Sequence, residues 1–96
     1  MTEEKKDNVI YIGSKSFMNY VTAVVMQFTT KDALEVIIKS RGKFISRAVD
    51  VAEVASKRFL EGQIEVKDIN IGSEEFKNKE GKQVRVSTIG INLKKK

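Results

Sequence analysis

Two stretches near the C-terminus, QIEVKDINIG at 63–72 and QVRVSTIGINL at 83–93, alternate apolar and polar residues. This two-residue period is typical of half-buried β-strands. The segment between them, residues 73–82, is polar, so the pair predicts a long β-hairpin with a polar tip. In each strand the apolar positions change parity once. Such a slip indicates a β-bulge or a strong twist on each strand, and the tip would then project from the body as an arm.

The N-terminal part of the chain alternates short apolar runs with helical patterns. NVIYIG at 8–13 and ALEVIIKS at 33–40 are typical of buried strands, and apolar residues recur at helical spacing in 17–29 and 43–60. Ser16 is a candidate N-cap for the first helix. The order β-α-β-α-β-β predicts an α/β (α+β) fold. We expect a two-layer sandwich with right-handed crossovers and a long C-terminal β-hairpin arm.

The length of the chain, 96 residues, fits one domain with a thin margin of buried surface. Residues 1–7 are expected to be flexible, and residues 94–96 to form a basic tail. The second predicted helix carries two apolar stripes, one through Ile45 and one through Val54. One stripe is enough to cover a sheet. The second predicts a homodimer, with burial of both stripes inside one chain as the alternative.

The composition excludes several kinds of chemistry. The chain has no Cys and no His, which excludes disulfides, thiolate metal sites and the commonest general base. Asp50 and Glu53 lie one helical turn apart, but Lys57 is placed to form an ordinary surface ion pair with Glu53. We therefore predict no enzymatic activity, no metal and no cofactor. A charged N-terminus and the lack of an apolar run of ~20 residues predict a cytoplasmic protein that does not enter membranes.

Positive charge is concentrated in one zone of the sequence. The formal net charge is +5, and residues 36–49 contain four basic residues and no acid. Such a zone usually faces a polyanion, with a solvated lysine-rich surface as the alternative. Helix N-termini attract anions, and glycine lets a backbone approach a ligand closely. The candidate binding residues are Lys15, Arg41, Gly42, Lys43 and Arg47 at the helix starts, and Lys77, Lys79, Lys82 and Arg85 at the hairpin tip, where a solvated loop is the alternative.

The aromatic residues do not predict an RNA-stacking platform, because such platforms expose aromatic rings on strand faces. Phe76 in the hairpin tip is the exception. The others considered fall on predicted helices, where core packing is expected: Phe17, Tyr20, Phe28, Phe44 and Phe59.

Four segments, IYIGSKSFMNYV, EVIIKSRGKFISRAVDVAE, KRFL and RVSTIGINL, closely resemble the Alba family of small archaeal chromatin proteins. The resemblance runs from about residue 8 to 93. It implies a β-α-β-α-β-β dimer, similar in fold to the C-terminal domain of translation initiation factor three, that coats double-stranded DNA and also binds RNA. It implies that the helix-start cations form a basic body surface and that the hairpins are arms reaching the minor groove. It also implies that Phe59 lies between neighbouring dimers in a higher assembly on DNA.

One loop departs from the family pattern. Family members typically carry two lysines and a proline after the first strand, where this chain has Ser14, Lys15 and Ser16. Ser14 cannot carry the lysine acetylation found at the first of those positions in some relatives, and each subunit has one cation fewer.

From residues and resemblance together we expect a dimeric, largely sequence-tolerant chromatin protein that binds double-stranded DNA and is associated with the chromosome. The alternatives are an RNA-binding protein, acting as an RNA chaperone or ribonucleoprotein subunit, and a dimeric scaffold with a solvated basic surface.

Overall fold

A computed structural model describes residues 8–96 of the chain. The element order confirms the predicted β-α-β-α-β-β fold, and the expectation of flexibility for residues 1–7 lies outside the described residues. The elements are β1 (Val9–Tyr11), α1 (Phe17–Thr29), β2 (Glu35–Arg41), α2 (Ile45–Val54), β3 (Ile64–Lys77) and β4 (Gln83–Lys95).

The strands form one sheet in the order β1-β2-β4-β3. β1 runs parallel to β2, and β4 runs antiparallel to both β2 and β3. The carboxyl ends of β1 and β2 therefore lie at one end of the sheet. The β3–β4 hairpin projects past that same end, which we call the loop end.

Both helices pack on one face of the sheet, as the strand periodicity dictates. Alternate residues of β2, namely Val36, Ile38 and Ser40, are buried beneath the helices. Ile91 and Leu93 of β4 are cross-strand neighbours of Ile38 and Val36 and extend the same core. Full burial of one such aliphatic side chain contributes about 1.5–3 kcal/mol, so these positions account for much of the stability. The same alternation sends the intervening residues to the opposite, open face.

The second predicted helix is composed of three segments. A 3-10 turn at Gly42–Phe44 precedes α2, and a π-helical turn at Ala55–Phe59 follows it, so the regular α-helix is shorter than the predicted 43–60. Four residues of the two stripes, Ala48, Val51, Ala52 and Ala55, are buried within the chain, whereas Val49 and Phe59 of the first stripe are exposed. Burial inside one chain therefore covers only part of the two stripes, and the dimer inferred from them stays a prediction.

The hairpin differs from its prediction in length and in the number of bulges. Past Arg41 and its partner Thr88, the ladder adds five cross-strand pairs and ends at Lys77 with Gln83, so the tip spans only residues 78–82 rather than 73–82. One register shift occurs, on β3 at Lys67. β4 has no bulge. The parity change in its sequence arises because Val84 and Val86, in the arm, lie on the face of the sheet opposite to Ile91.

The β-bulge carries an ion pair. The Lys67 ammonium lies 3.0 Å from a carboxylate oxygen of Glu35, at the end of the sheet away from the loop end. This hydrogen bond lowers the pKa of Glu35 and raises the pKa of Lys67. The residue in the bulge therefore links β3 to the start of β2 through this ion pair.

Candidate nucleic-acid interface

The loop between β1 and α1, which carries Lys15, is held by two side chains from the helices. The Tyr20 hydroxyl accepts hydrogen bonds from the backbone N–H groups of Gly13 and Lys15, at 2.9 and 3.1 Å. Arg47 donates a hydrogen bond from Nη1 to the Gly13 carbonyl at 2.8 Å, and its guanidinium lies 5.8 Å from the centre of the Tyr20 ring. Ser16, the predicted N-cap, makes no side-chain capping bond, although its carbonyl oxygen accepts a hydrogen bond from the Asn19 N–H at 3.0 Å.

Arg47 therefore has a structural role, which is to hold the loop between β1 and α1. It is half-buried, and one of its nitrogens is already bonded to protein. Its position fixes the loop that presents Lys15. Its predicted contact with a phosphate stays a prediction.

The junction between β2 and α2 links the body to the hairpin. Arg41, the last residue of β2, donates a hydrogen bond to Glu74 at 2.8 Å, and its guanidinium lies 5.6 Å from the centre of the Phe76 ring. Both charged groups are exposed, so this ion pair contributes at most about 1 kcal/mol. Such a pair is weak enough for a phosphate to replace the carboxylate.

Gly42 and Lys43 follow at the start of the helical segment. Gly42 has a φ of +60°, a conformation that side-chain-bearing residues rarely adopt, and a Cβ placed there would meet nothing within 4 Å. The backbone conformation therefore requires glycine here. Lys43 is exposed, and its ammonium lies 5.5 Å from the centre of the Phe44 ring.

The hairpin tip presents lysines from an ordered turn. The Asn78 side-chain oxygen accepts hydrogen bonds from the N–H groups of Glu80 and Lys82, at 2.9 and 3.0 Å. Arg85 differs from the tip lysines, since its guanidinium donates two hydrogen bonds to Glu75, at 3.2 and 2.9 Å.

The fold brings the candidate cations to the loop end. The cations at the helix starts and those of the hairpin are separated by the length of the arm. Within residues 8–96, six of these eight cations form no ion pair with any carboxylate: Lys15, Lys43, Arg47, Lys77, Lys79 and Lys82. At the opposite end, the terminal lysines predicted as a basic tail include two strand residues, and Lys94 and Lys95 pair with Glu65 and Asp32. The uncompensated charge is therefore concentrated at the loop end.

Two relevant residues are not evident from the sequence alone. Tyr11 is 70% exposed on the open face of the sheet, and Lys39 is its cross-strand neighbour. The signal for Tyr11 is its place between Ile10 and Ile12, which puts it on the face away from the core. Phe59, predicted as a contact between dimers, is half exposed at the end of the π-helical turn, and that role stays a prediction.

Neither helix described for residues 8–96 has the length and apolar character needed to cross a membrane. Across the same residues, no group of three or more acidic side chains is close enough to hold a metal ion.

Comparison with known proteins identifies the family. The Alba family model matches residues 8–73. A protein of Methanococcus maripaludis named DNA/RNA-binding protein Alba is 51% identical over 87 residues, covering 91% of this chain and 97% of the relative. The protein of the same name from Nanoarchaeum equitans is 58% identical over 88 residues, with the same coverage of 91% and 97%.

Solved structures agree with the sequence comparison. Alba from Thermoplasma volcanium has a TM-score of 0.83 and 42% identity, covering 91% of this chain and 99% of that one. ALBA1 from Trypanosoma brucei shares the fold, with a TM-score of 0.75 at 19% identity over 96% of this chain and 72% of that one. Because the family model spans more than half of the chain and relatives more than half identical cover over nine-tenths of it, the chain belongs to the Alba family.

Proposed function

We propose that the protein is a homodimer that binds double-stranded DNA with little sequence preference and organises it on the chromosome. The observation that carries the proposal is the set of five loop-end lysines without a carboxylate partner within residues 8–96. Clustered cations of this kind displace counterions from a polyanion, which supplies most of the affinity of sequence-tolerant binding. The names of the relatives, DNA/RNA-binding protein Alba, support the same class of ligand.

The body of the protein contacts phosphates, and the hairpin arm contacts the minor groove. Lys15 and Lys43 face phosphates at the loop end, and Arg41 joins them when it exchanges Glu74 for a phosphate. The five cross-strand pairs beyond Arg41 extend the hairpin by about 17 Å. The minor groove is only about 6 Å wide, so it admits the side chains of Lys79 and Lys82 rather than the whole β-ribbon. Contacts of this kind read little sequence, because they involve phosphates and groove shape.

The proposed dimer is supported by an apolar surface that the helices leave uncovered. Val66, Ile69 and Ile71 lie on the helix-side face of β3, and all three are exposed. Val49 of α2 is also exposed. A second copy of the chain would cover β3 as the helices cover β2, and would place two arms on one duplex.

Removal of one loop-end lysine tests the proposal. Replacing Lys43 with Ala should weaken duplex binding equally for every sequence, and should make the log–log salt dependence shallower by about 0.9 for each phosphate that the variant no longer neutralises. The matched control is Lys31→Ala, because Lys31 is exposed at the opposite end of the sheet. Binding would be measured by fluorescence anisotropy on several duplexes across a salt series.

Two results would contradict the phosphate assignment. One is a weakening confined to particular sequences, and the other is an equal weakening in the control. RNA binding is the second candidate function, favoured by the relatives' names and by the exposed Tyr11 ring. Duplex RNA and matched single strands in the same salt series would measure the balance.

A further inference from the structure

The face of the sheet opposite the helices forms a groove of about 750 Å³. The strand register places a row of residues across it: Tyr11 lies beside Lys39, Lys39 beside Gly90, and Gly90 beside Asn70. Since side chains alternate along a strand, residues in such a row point to the same face. Within residues 8–96, no helix packs on this face.

The middle of the groove is open because two of its floor positions lack side chains. Gly90 would meet nothing within 4 Å if it carried a Cβ, and a Cβ on Gly72 would meet only the Thr88 hydroxyl, at 3.3 Å. Neither of these glycines has a positive φ, so the backbone conformation does not require glycine at either place. The missing side chains instead leave space for a flat group beside Lys39, which itself lies beside Tyr11.

The walls of the groove offer the groups that an unpaired nucleotide needs. The Tyr11 ring, 70% exposed, provides a stacking surface, and Lys39 makes no ion pair within residues 8–96.

The charges on the groove agree with a nucleic-acid occupant. Its lining contains two cations, Lys39 and Arg41, and one carboxylate, Glu74, which Arg41 already neutralises. Arg41 stands at the loop end, where the groove meets the surface proposed for duplex phosphates. One strand can therefore pass from that surface onto the sheet without crossing an acidic region of the groove lining.

We propose that this groove binds unpaired nucleotides of a single-stranded nucleic acid, with a base stacked on Tyr11 and a backbone phosphate at Lys39. The proposal rests on the proposed function, since it deepens nucleic-acid binding by adding a second site. A duplex cannot use this site, because its bases are stacked inside and do not reach a ring on a sheet surface. Single strands can, and stacking on aromatic side chains tolerates any base.

Substitutions of Tyr11 test the site directly. Anisotropy titrations would use a single-stranded RNA, a single-stranded DNA of the same sequence and a DNA duplex at one salt concentration. Tyr11→Ala should weaken binding of the single strands about tenfold or more and leave the duplex affinity unchanged. Tyr11→Phe keeps the ring and should retain the affinity. The matched control is Leu34→Ala, which removes a side chain of similar exposure, 73%, outside the groove lining.

Intrinsic fluorescence gives an independent measurement. The chain has no Trp and only two Tyr, and Tyr20 is buried. A base stacked on Tyr11 should quench the tyrosine emission of the wild type, and Tyr11→Phe should abolish that quenching while it preserves affinity. If Tyr11→Ala lowered the affinity for single-stranded RNA more than that for single-stranded DNA, the 2′-hydroxyl would also be contacted, which would support the site.

The outcomes separate this inference from the proposed function. If Tyr11→Ala left single-strand affinity unchanged, or reduced single-strand and duplex affinity by the same factor, the groove would not be a single-strand site, while the duplex proposal would stand. The same conclusion would follow if Tyr11→Phe bound as poorly as Tyr11→Ala. If the wild type bound no duplex at all, the proposed function would fail first.

Discussion

Arg47 acts on the site through another residue. Its hydrogen bond to the Gly13 carbonyl and its place over the Tyr20 ring hold the loop that presents Lys15. A lysine at the same position would keep the charge but lose the planar, multi-donor geometry of the guanidinium. We therefore expect the conformation of the loop to depend on the guanidinium of Arg47 as well as on the hydrogen bonds to Tyr20.

A charge-conserving substitution separates the two roles of Arg47. Arg47→Lys should lower the free energy of unfolding by about 1–2 kcal/mol, and should shift the amide NMR signals of Gly13 and Lys15 in the free protein. Duplex affinity should fall nearly as far as in Arg47→Ala, because the loop that presents Lys15 then keeps only its hydrogen bonds to Tyr20. Thermal unfolding, NMR and anisotropy would measure the three effects. If Arg47 acted chiefly as a phosphate contact, Arg47→Lys would keep most of the affinity and leave those amide signals unshifted.

At the scale of the elements, the hairpin is a continuation of the sheet beyond the body. Its outer part has few buried contacts, since residues 73–77 are all exposed, and cross-strand pairs such as Glu75 with Arg85 hold it. The core beneath the helices does not depend on this outer part, because Ile64, Ile91 and Leu93 lie in the body. The arm can therefore be shortened without loss of the fold.

A truncation that respects the register tests the arm. Residues 76–84 would be replaced by Asn-Gly between the paired residues Glu75 and Arg85, which removes Lys77, Lys79 and Lys82. Circular dichroism and thermal unfolding should be almost unchanged, whereas duplex affinity should fall and the salt dependence should become shallower.

The control for the truncation keeps the full arm and changes only its charge. Replacing the three tip lysines with Gln should reproduce most of the decrease in affinity if the arm contributes charge, and little of it if the arm contributes shape. Unchanged duplex affinity after truncation would show that the body cations bind alone and that the arm model is wrong.

The helices and the hairpin also show what the sequence can and cannot predict about elements. The sequence predicts the helix at 17–29 with the correct bounds, because its apolar spacing is regular. It predicts the outer part of β4 as a strand but assigns residues 73–77 of β3 to the tip, because that segment is polar and shows no alternation. The π-helical end of the second helix escapes prediction for a related reason, because so short a turn leaves no periodic signature.

The candidate site is predictable in position more than in detail. Parallel pairing of β1 and β2 follows from the β-α-β order, and it brings Lys15 and Arg41 to the same end of the sheet. The pairs that Arg41 and Arg47 make join residues 33 and 34 positions apart, so they depend on tertiary structure. A linear pattern of charges cannot distinguish a cation that is already bonded from one that is free to bind.

At the scale of the whole molecule, the exposed apolar face of β3 is the surface through which the proposed dimer would form. Ile71 is 84% exposed in the single chain, near the loop end of β3. Val54, by contrast, is half-buried against the chain's own core, so a charge there would unfold the subunit and reveal little about association. Ile71 is therefore the position at which assembly can be tested apart from folding.

Ile71→Asp should convert the proposed dimer into folded monomer. The carboxylate is solvated in the single chain, but it would be buried without a partner in the interface, at a cost of several kcal/mol. Sedimentation at micromolar concentration should show the monomer mass with an unchanged circular dichroism spectrum, and duplex affinity should fall because one arm remains where two acted together. Leu34→Asp is the matched control, since Leu34 is 73% exposed and lies outside the β3 face. A wild type that sediments as a monomer, or an Ile71→Asp variant that remains dimeric, would rule out this surface as the interface.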